Sequence, residues 1–176
     1  GAKPVFRPVM LAHPVEEEDW PRLSPSDFVA EWKWDGIRMQ IASRAGRVRI
    51  FSRQGDDISR AFPEIAQAFA RHDCVCDGEL LVLREGVVAP FNDLQQRLNR
   101  KAVTVRMLAD YPAFVHLYDI LFDRAEDLRP LPFAAISSAM LRPPAKGPLR
   151  RSCELSSVDC CQPLLNRRDI GYQSEL

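Results

Sequence analysis

The sequence lacks the long apolar run and the charge excess that would indicate several common classes of protein. No stretch approaches the roughly 18–20 consecutive apolar residues that a membrane-spanning helix needs. No basic segment followed by an apolar one opens the chain as a secretory signal would. The 24 Lys and Arg balance the 24 Asp and Glu, which argues against a uniformly basic nucleic-acid binder. We therefore expect a globular protein that is neither secreted nor anchored in a membrane.

Cysteine and histidine are too few and too scattered to indicate a metal centre. The five cysteines include no C-x-x-C pair, so a zinc ribbon is not expected. Their odd number does not suggest a disulfide framework, and Cys74 and Cys76 lie in an apolar run, where free buried cysteine is common. The three histidines show neither a ligand spacing nor a triad. The sequence thus predicts a reduced, cytosolic protein.

What is present is the composition of an ordinary globular domain with short strands and few helices. The chain has 176 residues, of which 46% are hydrophobic, and this length fits one domain. Alternating and apolar runs predict strands over 28–34, 38–43, 47–52, 74–83 and 113–122. Helical spacing predicts helices over 59–71, 93–100 and 133–141, the second capped by Asn92. The pattern favours an antiparallel α+β fold.

One segment carries a chemically suggestive arrangement, running from Glu31 through Lys33, Asp35 and Gly36 to Arg38. A lysine amine can act as a nucleophile when its surroundings organise the target. Glycine lets the backbone approach a phosphate closely, and an arginine fork can hold a phosphate or ribose. The alternative is an exposed lysine beside an ordinary turn.

Three further positions could complete a site of this kind. Arg53 follows a strand with a basic face, where it could meet another phosphate or ribose group. Glu79 lies in an apolar strand, where a carboxylate is costly unless it is paired or metal-bound, so a ribose hydroxyl or Mg²⁺ is a candidate partner. Tyr118 could stack on a flat base, although core packing is the more frequent role of such a residue.

Together these motifs resemble the adenylation domain of ATP-dependent DNA ligases, of the covalent nucleotidyltransferase class. Lys33-Trp34-Asp35-Gly36-Ile37-Arg38 is similar to the motif with the nucleophilic lysine. Arg53 in Phe51-Ser52-Arg53, Asp77-Gly78-Glu79 and Leu117-Tyr118-Asp119 match the motifs that follow it. The segment from Phe91 to Arg97 resembles one found in bacterial members. The likeness covers residues 3–133 and implies an antiparallel, ATP-grasp-like nucleotidyltransferase fold.

The resemblance also implies a reaction and a set of partners. Lys33 would attack the α-phosphorus of ATP and hold AMP through a phosphoramidate bond. This lysyl-AMP intermediate would then be used to seal nicked double-stranded DNA. Arg38 and Arg53 would hold ribose and phosphate, Glu31 the adenine edge, Tyr118 the adenine face, and Glu79 would bind nucleotide and lie near Mg²⁺. The family acts in DNA repair, recombination and replication. A monomer in the bacterial cytosol, with other DNA repair proteins as further partners, is the corresponding expectation.

The match weakens towards the end of the chain. The family's fourth motif is a Glu-Gly pair followed by a lysine, and these would fall on Cys161-Gln162 and Asn166. The fifth motif, a pair of lysines, has no counterpart before Leu176, and no room is left for an OB-fold domain. We expect 1–133 to form the adenylation core and 134–176 to be a divergent or incomplete part of the same domain, with ATP binding weakened and self-adenylation slow or absent.

Two other functions remain open from the sequence. The first is a non-catalytic nucleotide- or DNA-binding module that keeps the ligase fold. The second is an RNA ligase or capping enzyme, which would share the lysine chemistry and differ in the polynucleotide. The segment from Phe91 to Arg97 favours DNA over RNA.

Overall fold

The structure is a computed structural model that describes residues 3–24, 32–98, 100 and 102–132. Within these residues, six strands form one antiparallel sheet. Its order is β2-β1-β3-β5-β6, and β4 pairs with the end of β3. The strands are β1 (Ile37–Arg44), β2 (Arg47–Ser52), β3 (Cys74–Arg84), β4 (Val87–Val88), β5 (Ala113–Asp123) and β6 (Glu126–Asp127). The antiparallel pairing confirms the predicted α+β class.

The hydrophobic core lies on one face of this sheet. Strand residues alternate between faces, and Met39 and Ile41 of β1 and Leu80 and Val82 of β3 point to the same core. Among the described residues, three short α-helices accompany the sheet: α1 (Pro63–Phe69), α2 (Phe91–Gln95) and α3 (Val105–Asp110). Ile65 of α1 and Leu94 of α2 are buried in the core cluster, so the opposite sheet face is left for other contacts. No helix in the described ranges is long and apolar enough to cross a membrane.

The central strands and the first hairpin confirm the sequence predictions. The hairpin joins β1 to β2 through Ala45 and Gly46, both at positive φ (49° and 75°). The strand predicted over 74–83 is β3, and the one over 113–122 is β5. The sequence predicts that Asp77-Gly78-Glu79 interrupts this strand. In the structure β3 continues through these residues, and its pairing with β5 shifts register at two positions instead.

The helix predictions are only partly right. The predicted helix 59–71 is split into a 3-10 turn (Ser59–Ala61) and α1, because Pro63 has no N–H to continue the hydrogen-bond ladder. Asn92 is not a cap: α2 starts at Phe91 and ends at Gln95. The sequence reading missed α3, whose first turn is capped by the Thr104 hydroxyl accepting from the Met107 amide at 3.2 Å.

Three other predicted segments differ from the structure or lie beyond it. The acidic run 16–19, which the sequence predicts as a solvated loop, instead leads into an exposed 3-10 helix (Glu17–Arg22). The strand predicted over 28–34 is wrong for residues 32–34, which have no regular structure, and its remainder lies outside the described residues. The helix predicted over 133–141 and the region 134–176 also lie outside them.

Candidate active site

The face of the sheet opposite the core carries the polar residues that the motifs singled out. Arg38 and Gln40 alternate with core residues along β1, so their side chains point to this second face. In register, Arg38 lies opposite Glu79 of β3, and Glu79 lies opposite His116 of β5. Three neighbouring strands thus bring a cation, a carboxylate and an imidazole to the same level of the sheet.

An extended segment crosses the same face. We call residues 3–11 the N-terminal strap. Its Met10 carbonyl accepts a hydrogen bond from Arg38 Nη1 at 2.6 Å, and its Phe6 ring packs on Phe51 with centroids 5.6 Å apart. The strap therefore covers part of the second face and contacts the site arginine directly.

Arg38 is held from several sides, and its Nε donor has no partner. Its Nη2 lies 3.3 Å from Asp77 Oδ2, and its guanidinium lies 5.8 Å from the ring centroid of Tyr118. The Nε atom is buried and has no hydrogen-bond partner. Since a buried donor without a partner is costly, this atom fits a ligand oxygen from a phosphate or ribose.

Glu79 lies beside this arginine in a partly dehydrated position. Burial raises the pKa of Glu79, and Arg38, a hydrogen bond from the Gly36 backbone and the charge of Lys33 offset that effect only in part. Asp35 raises the pKa further. The Glu79 carboxylate is therefore harder to ionise than in water, and a cation bound with a ligand would lower its pKa again.

Lys33 lies exposed in the segment 32–36, which precedes β1. Its charge is close enough to act on Glu79. Next to it, the Trp34 ring contacts the His116 ring with centroids 5.6 Å apart, and burial lowers the pKa of His116. Lys33 is thus an exposed cation in the segment before β1, within electrostatic reach of Glu79.

The structure brings together four of the six predicted site residues: Lys33, Arg38, Glu79 and Tyr118. Arg53 is exposed in the turn after β2 and lines a cavity of about 350 Å³ with strap residues, among them Phe6 and Val9. Glu31 lies outside the described residues.

Sequence reasoning missed two buried polar residues of the site, Gln40 and Asp77. Asp77 belongs to the Asp77-Gly78-Glu79 motif, in which the sequence predicts a role only for Glu79. The signal for Gln40 was its place between two apolar residues, Met39 and Ile41, in a predicted strand, because a buried amide there needs hydrogen-bond partners.

The residues present fit a nucleotide and a hard cation bound mainly through it. The unpartnered Arg38 Nε and the aromatic ring of Tyr118 suit a phosphate or sugar oxygen and a flat base. The described ranges contain no group of three or more aspartate, glutamate, histidine or cysteine side chains placed to hold a metal ion. Mg²⁺ would thus have Glu79 as its protein ligand and take its other ligands from phosphate and water, as is common for this ion.

A second cavity at the far end of the same face is strongly basic. It measures about 240 Å³, and four basic residues and no acidic one line it: Lys3, Arg7, Arg44 and Arg124. Arg44 is six residues beyond Arg38 on β1, which corresponds to about 20 Å along the strand. This charge suits a polyanion that extends beyond the nucleotide site.

We expect Glu79→Gln to stabilise the chain near pH 7 and to have no effect near pH 4. A raised folded-state pKa means that Glu79 favours folding below its ordinary value of 4.5, and that this contribution is lost as pH rises through the folded pKa. Urea unfolding at the two pH values measures the difference. The exposed Glu126→Gln is the control, and an equal gain at both pH values would contradict the assignment.

Comparisons with known proteins identify the family of this chain. Residues 9–143 match the family model described as ATP dependent DNA ligase domain. A probable DNA ligase of Koribacter versatilis is 36% identical over 126 residues, which are 69% of this chain and 22% of the relative. A DNA ligase of Pyrobaculum calidifontis is 36% identical over 110 residues, which are 59% of this chain and 19% of the relative.

A solved structure shows the same fold. The ligase domain of LigD from M. tuberculosis superposes with a TM-score of 0.50 at 27% identity, over 63% of this chain and 35% of that one. The chain spans about a fifth of the length of the two curated relatives. Because the family model covers most of its residues, the chain belongs to the family of ATP-dependent DNA ligase domains.

Proposed function

We propose that this chain is the nucleotidyl-transfer part of an ATP-dependent DNA ligase and that Lys33 is its nucleophile. The observation that carries the proposal is the arrangement of Arg38 on the second face. Its buried Nε has no partner, its guanidinium lies over the Tyr118 ring, and the charges of both Arg38 and Lys33 act on Glu79. Such a cluster offers a nucleophile, a charge clamp and a ring for a base.

In the proposed reaction the deprotonated amine of Lys33 attacks the α-phosphorus of ATP. The N–P bond forms while the bond to the bridging oxygen breaks, pyrophosphate leaves, and AMP remains as a phosphoramidate. AMP then moves to the 5′-phosphate of a DNA nick, and the 3′-hydroxyl displaces it to seal the strand. Phosphoryl-type transfer depends mainly on positioning and on charge stabilisation, which Arg38 supplies here. Bound Mg²⁺ would neutralise phosphate charge, with Glu79 as its protein ligand.

We further propose that the reaction is slow in this chain. In the family's fourth motif, the glutamate position carries Cys161 in this chain, the glycine position Gln162 and the lysine position Asn166. With fewer cations, the negative charge that develops on the α-phosphate is less well stabilised in the transition state. These positions lie outside the described residues.

Incubation with α-labelled ATP and Mg²⁺ tests the nucleophile. We expect weak or absent label on the full chain, and any label to map to Lys33 and to disappear in Lys33→Ala. Lys3→Ala, which removes another exposed lysine, should leave the label unchanged. Robust label would contradict the slow reaction, and label that persists in Lys33→Ala would contradict the nucleophile.

The labelled chain also separates the proposal from its alternatives. Transfer of AMP to the 5′-phosphate of nicked DNA, in preference to nicked RNA, supports a DNA ligase. The basic cavity favours a polyanion as partner. Binding of nicked DNA without any label or transfer would favour the non-catalytic module.

A further inference from the structure

Gln40 is a fully buried amide on the second face of the sheet, beneath the N-terminal strap. It has 0% relative exposure and lies in β1 between Met39 and Ile41 of the core. An amide buried without partners costs about 1–3 kcal/mol, so its contacts must be good ones. The structure shows three hydrogen bonds from this one side chain, and each goes to a part of the site.

Two of these bonds hold the N-terminal strap. The Oε1 atom accepts from the Arg7 amide at 2.6 Å, and Nε2 donates to the Arg7 carbonyl at 3.1 Å. One side chain therefore satisfies both backbone groups of a strap residue, as a neighbouring strand would. The strap is thereby fixed in register over β1.

The third bond connects Gln40 to the site arginine. Nε2 also donates to Asp77 Oδ1 at 2.8 Å, and Asp77 Oδ2 lies 3.3 Å from Arg38 Nη2. Arg38 Nη1 in turn donates to the strap at the Met10 carbonyl. The contacts close a ring: strap, Gln40, Asp77, Arg38 and strap again.

We propose that Gln40 is a positioning residue for nucleotide binding, which holds the strap and Asp77 so that Arg38 keeps its free Nε directed at the ligand. The identity of the ligand, a nucleotide, rests on the proposed function. The closed set of hydrogen bonds among the strap, Gln40, Asp77 and Arg38 does not depend on that function. Loss of Gln40 would release Arg7 and leave Asp77 without one of its donors. Arg38 would then lose two of its anchors, Met10 and a fixed Asp77, at the same time.

The chemistry explains why an amide suits this position. The residue must donate and accept at once, which neither a carboxylate nor a hydrocarbon can do. A glutamate would in addition place a second negative charge beside Asp77, which is 4% exposed. A neutral amide satisfies the strap and the aspartate without competing for Arg38.

The test uses the full chain with Gln40→Met, which keeps an unbranched side chain of similar length without the hydrogen bonds, and Gln40→Glu. Ser43→Ala is the matched control: Ser43 is also buried on β1, and its hydroxyl donates only to the Phe69 carbonyl on the core side. Hydrogen exchange of peptides from the strap measures how firmly it is held. The NMR signal of the Arg38 Nε–H reports the orientation of the arginine, and calorimetry measures ATP binding.

We expect strap exchange to quicken about tenfold in both Gln40 variants, which corresponds to the loss of about one hydrogen bond. The Arg38 Nε–H signal should shift, ATP affinity should fall several-fold, and Ser43→Ala should match the unaltered chain in all three. Unchanged exchange would overturn the role in the strap, and an unchanged Arg38 signal would overturn the link to the arginine. Absence of ATP binding by the unaltered chain would overturn the proposed function instead, while exchange and the Arg38 signal still decide the positioning role.

Discussion

Replacing Arg97 with alanine should lower the free energy of unfolding by about 3–5 kcal/mol, because the change breaks a buried ion pair and leaves its partners unpaired. The Arg97 side chain has 0% exposure, and its two terminal nitrogens bind both oxygens of Glu64. They also donate to the carbonyls of Ala61 and Tyr111. The guanidinium lies 4.9 Å from the ring centroid of Phe62, so the truncation removes packing as well as charge.

Urea or guanidinium unfolding, followed by circular dichroism, measures this change. The control is Arg106→Ala, which removes an exposed ion pair within α3 whose arginine side chain is 89% exposed; such pairs contribute only about 0.3–0.5 kcal/mol. The free energy of unfolding of Arg97→Lys should also be well below that of the unaltered chain. Lysine keeps the charge but cannot bind both carboxylate oxygens and two carbonyls at once. A loss of less than about 1 kcal/mol in Arg97→Ala would contradict the structure of this cluster.

Gly36→Ala should disturb both the stability of the chain and the position of Lys33. A Cβ on Gly36 would lie 2.3 Å from the Leu80 carbonyl oxygen and 2.8 Å from Glu79 Cγ. The first of these is backbone at the centre of the sheet and cannot easily move, so the segment before β1 must lift away from β3. Strain of this kind costs about 1–3 kcal/mol, and the hydrogen bond from the Gly36 amide to Glu79 would be lost as well.

Two measurements separate this displacement from an ordinary effect of alanine. Chemical unfolding gives the free energy, and the NMR shifts of His116 report the neighbouring Trp34 ring, which moves with the segment. Gly86→Ala is the control: it meets no atom within 4 Å but has φ of +79°. It should cost about 1 kcal/mol from backbone strain with His116 unchanged. A Gly36→Ala chain with unaltered stability and unaltered His116 shifts would show that the close approach is wrong.

The segment from Phe91 to Arg97, which carries part of the family resemblance, has a structural role. It lies on the core side of the sheet, where Leu94 is buried in the main cluster and Arg97 joins α1 to the turn before it. The motif thus supports the frame and does not line the candidate site. A sequence motif can be specific for a family because the core needs it, even when the reaction does not.

From the sequence alone, four of the strands and the candidate site residues could be predicted. Period-two alternation and a Gly-containing turn are local, so β1, β2, β3 and β5 could be predicted from neighbouring residues. The motifs around Lys33, Arg38 and Glu79 were also readable, because a reaction requires certain residue types at close spacing. Short helices were predicted less well, since α3 depends on a single Thr104 cap and α1 begins where Pro63 interrupts the chain.

Only the tertiary structure decided how these groups are arranged and held. Register between strands places Arg38 opposite Glu79 although 41 positions separate them in the chain, and no local pattern encodes that pairing. The partners of Gln40 lie 33 and 37 residues away, so its role could not be read from its neighbours. Burial also changes the chemistry of Glu79. Folding raises the pKa of its carboxyl group, because it removes part of the surrounding water and the nearby positive charges offset this loss only in part.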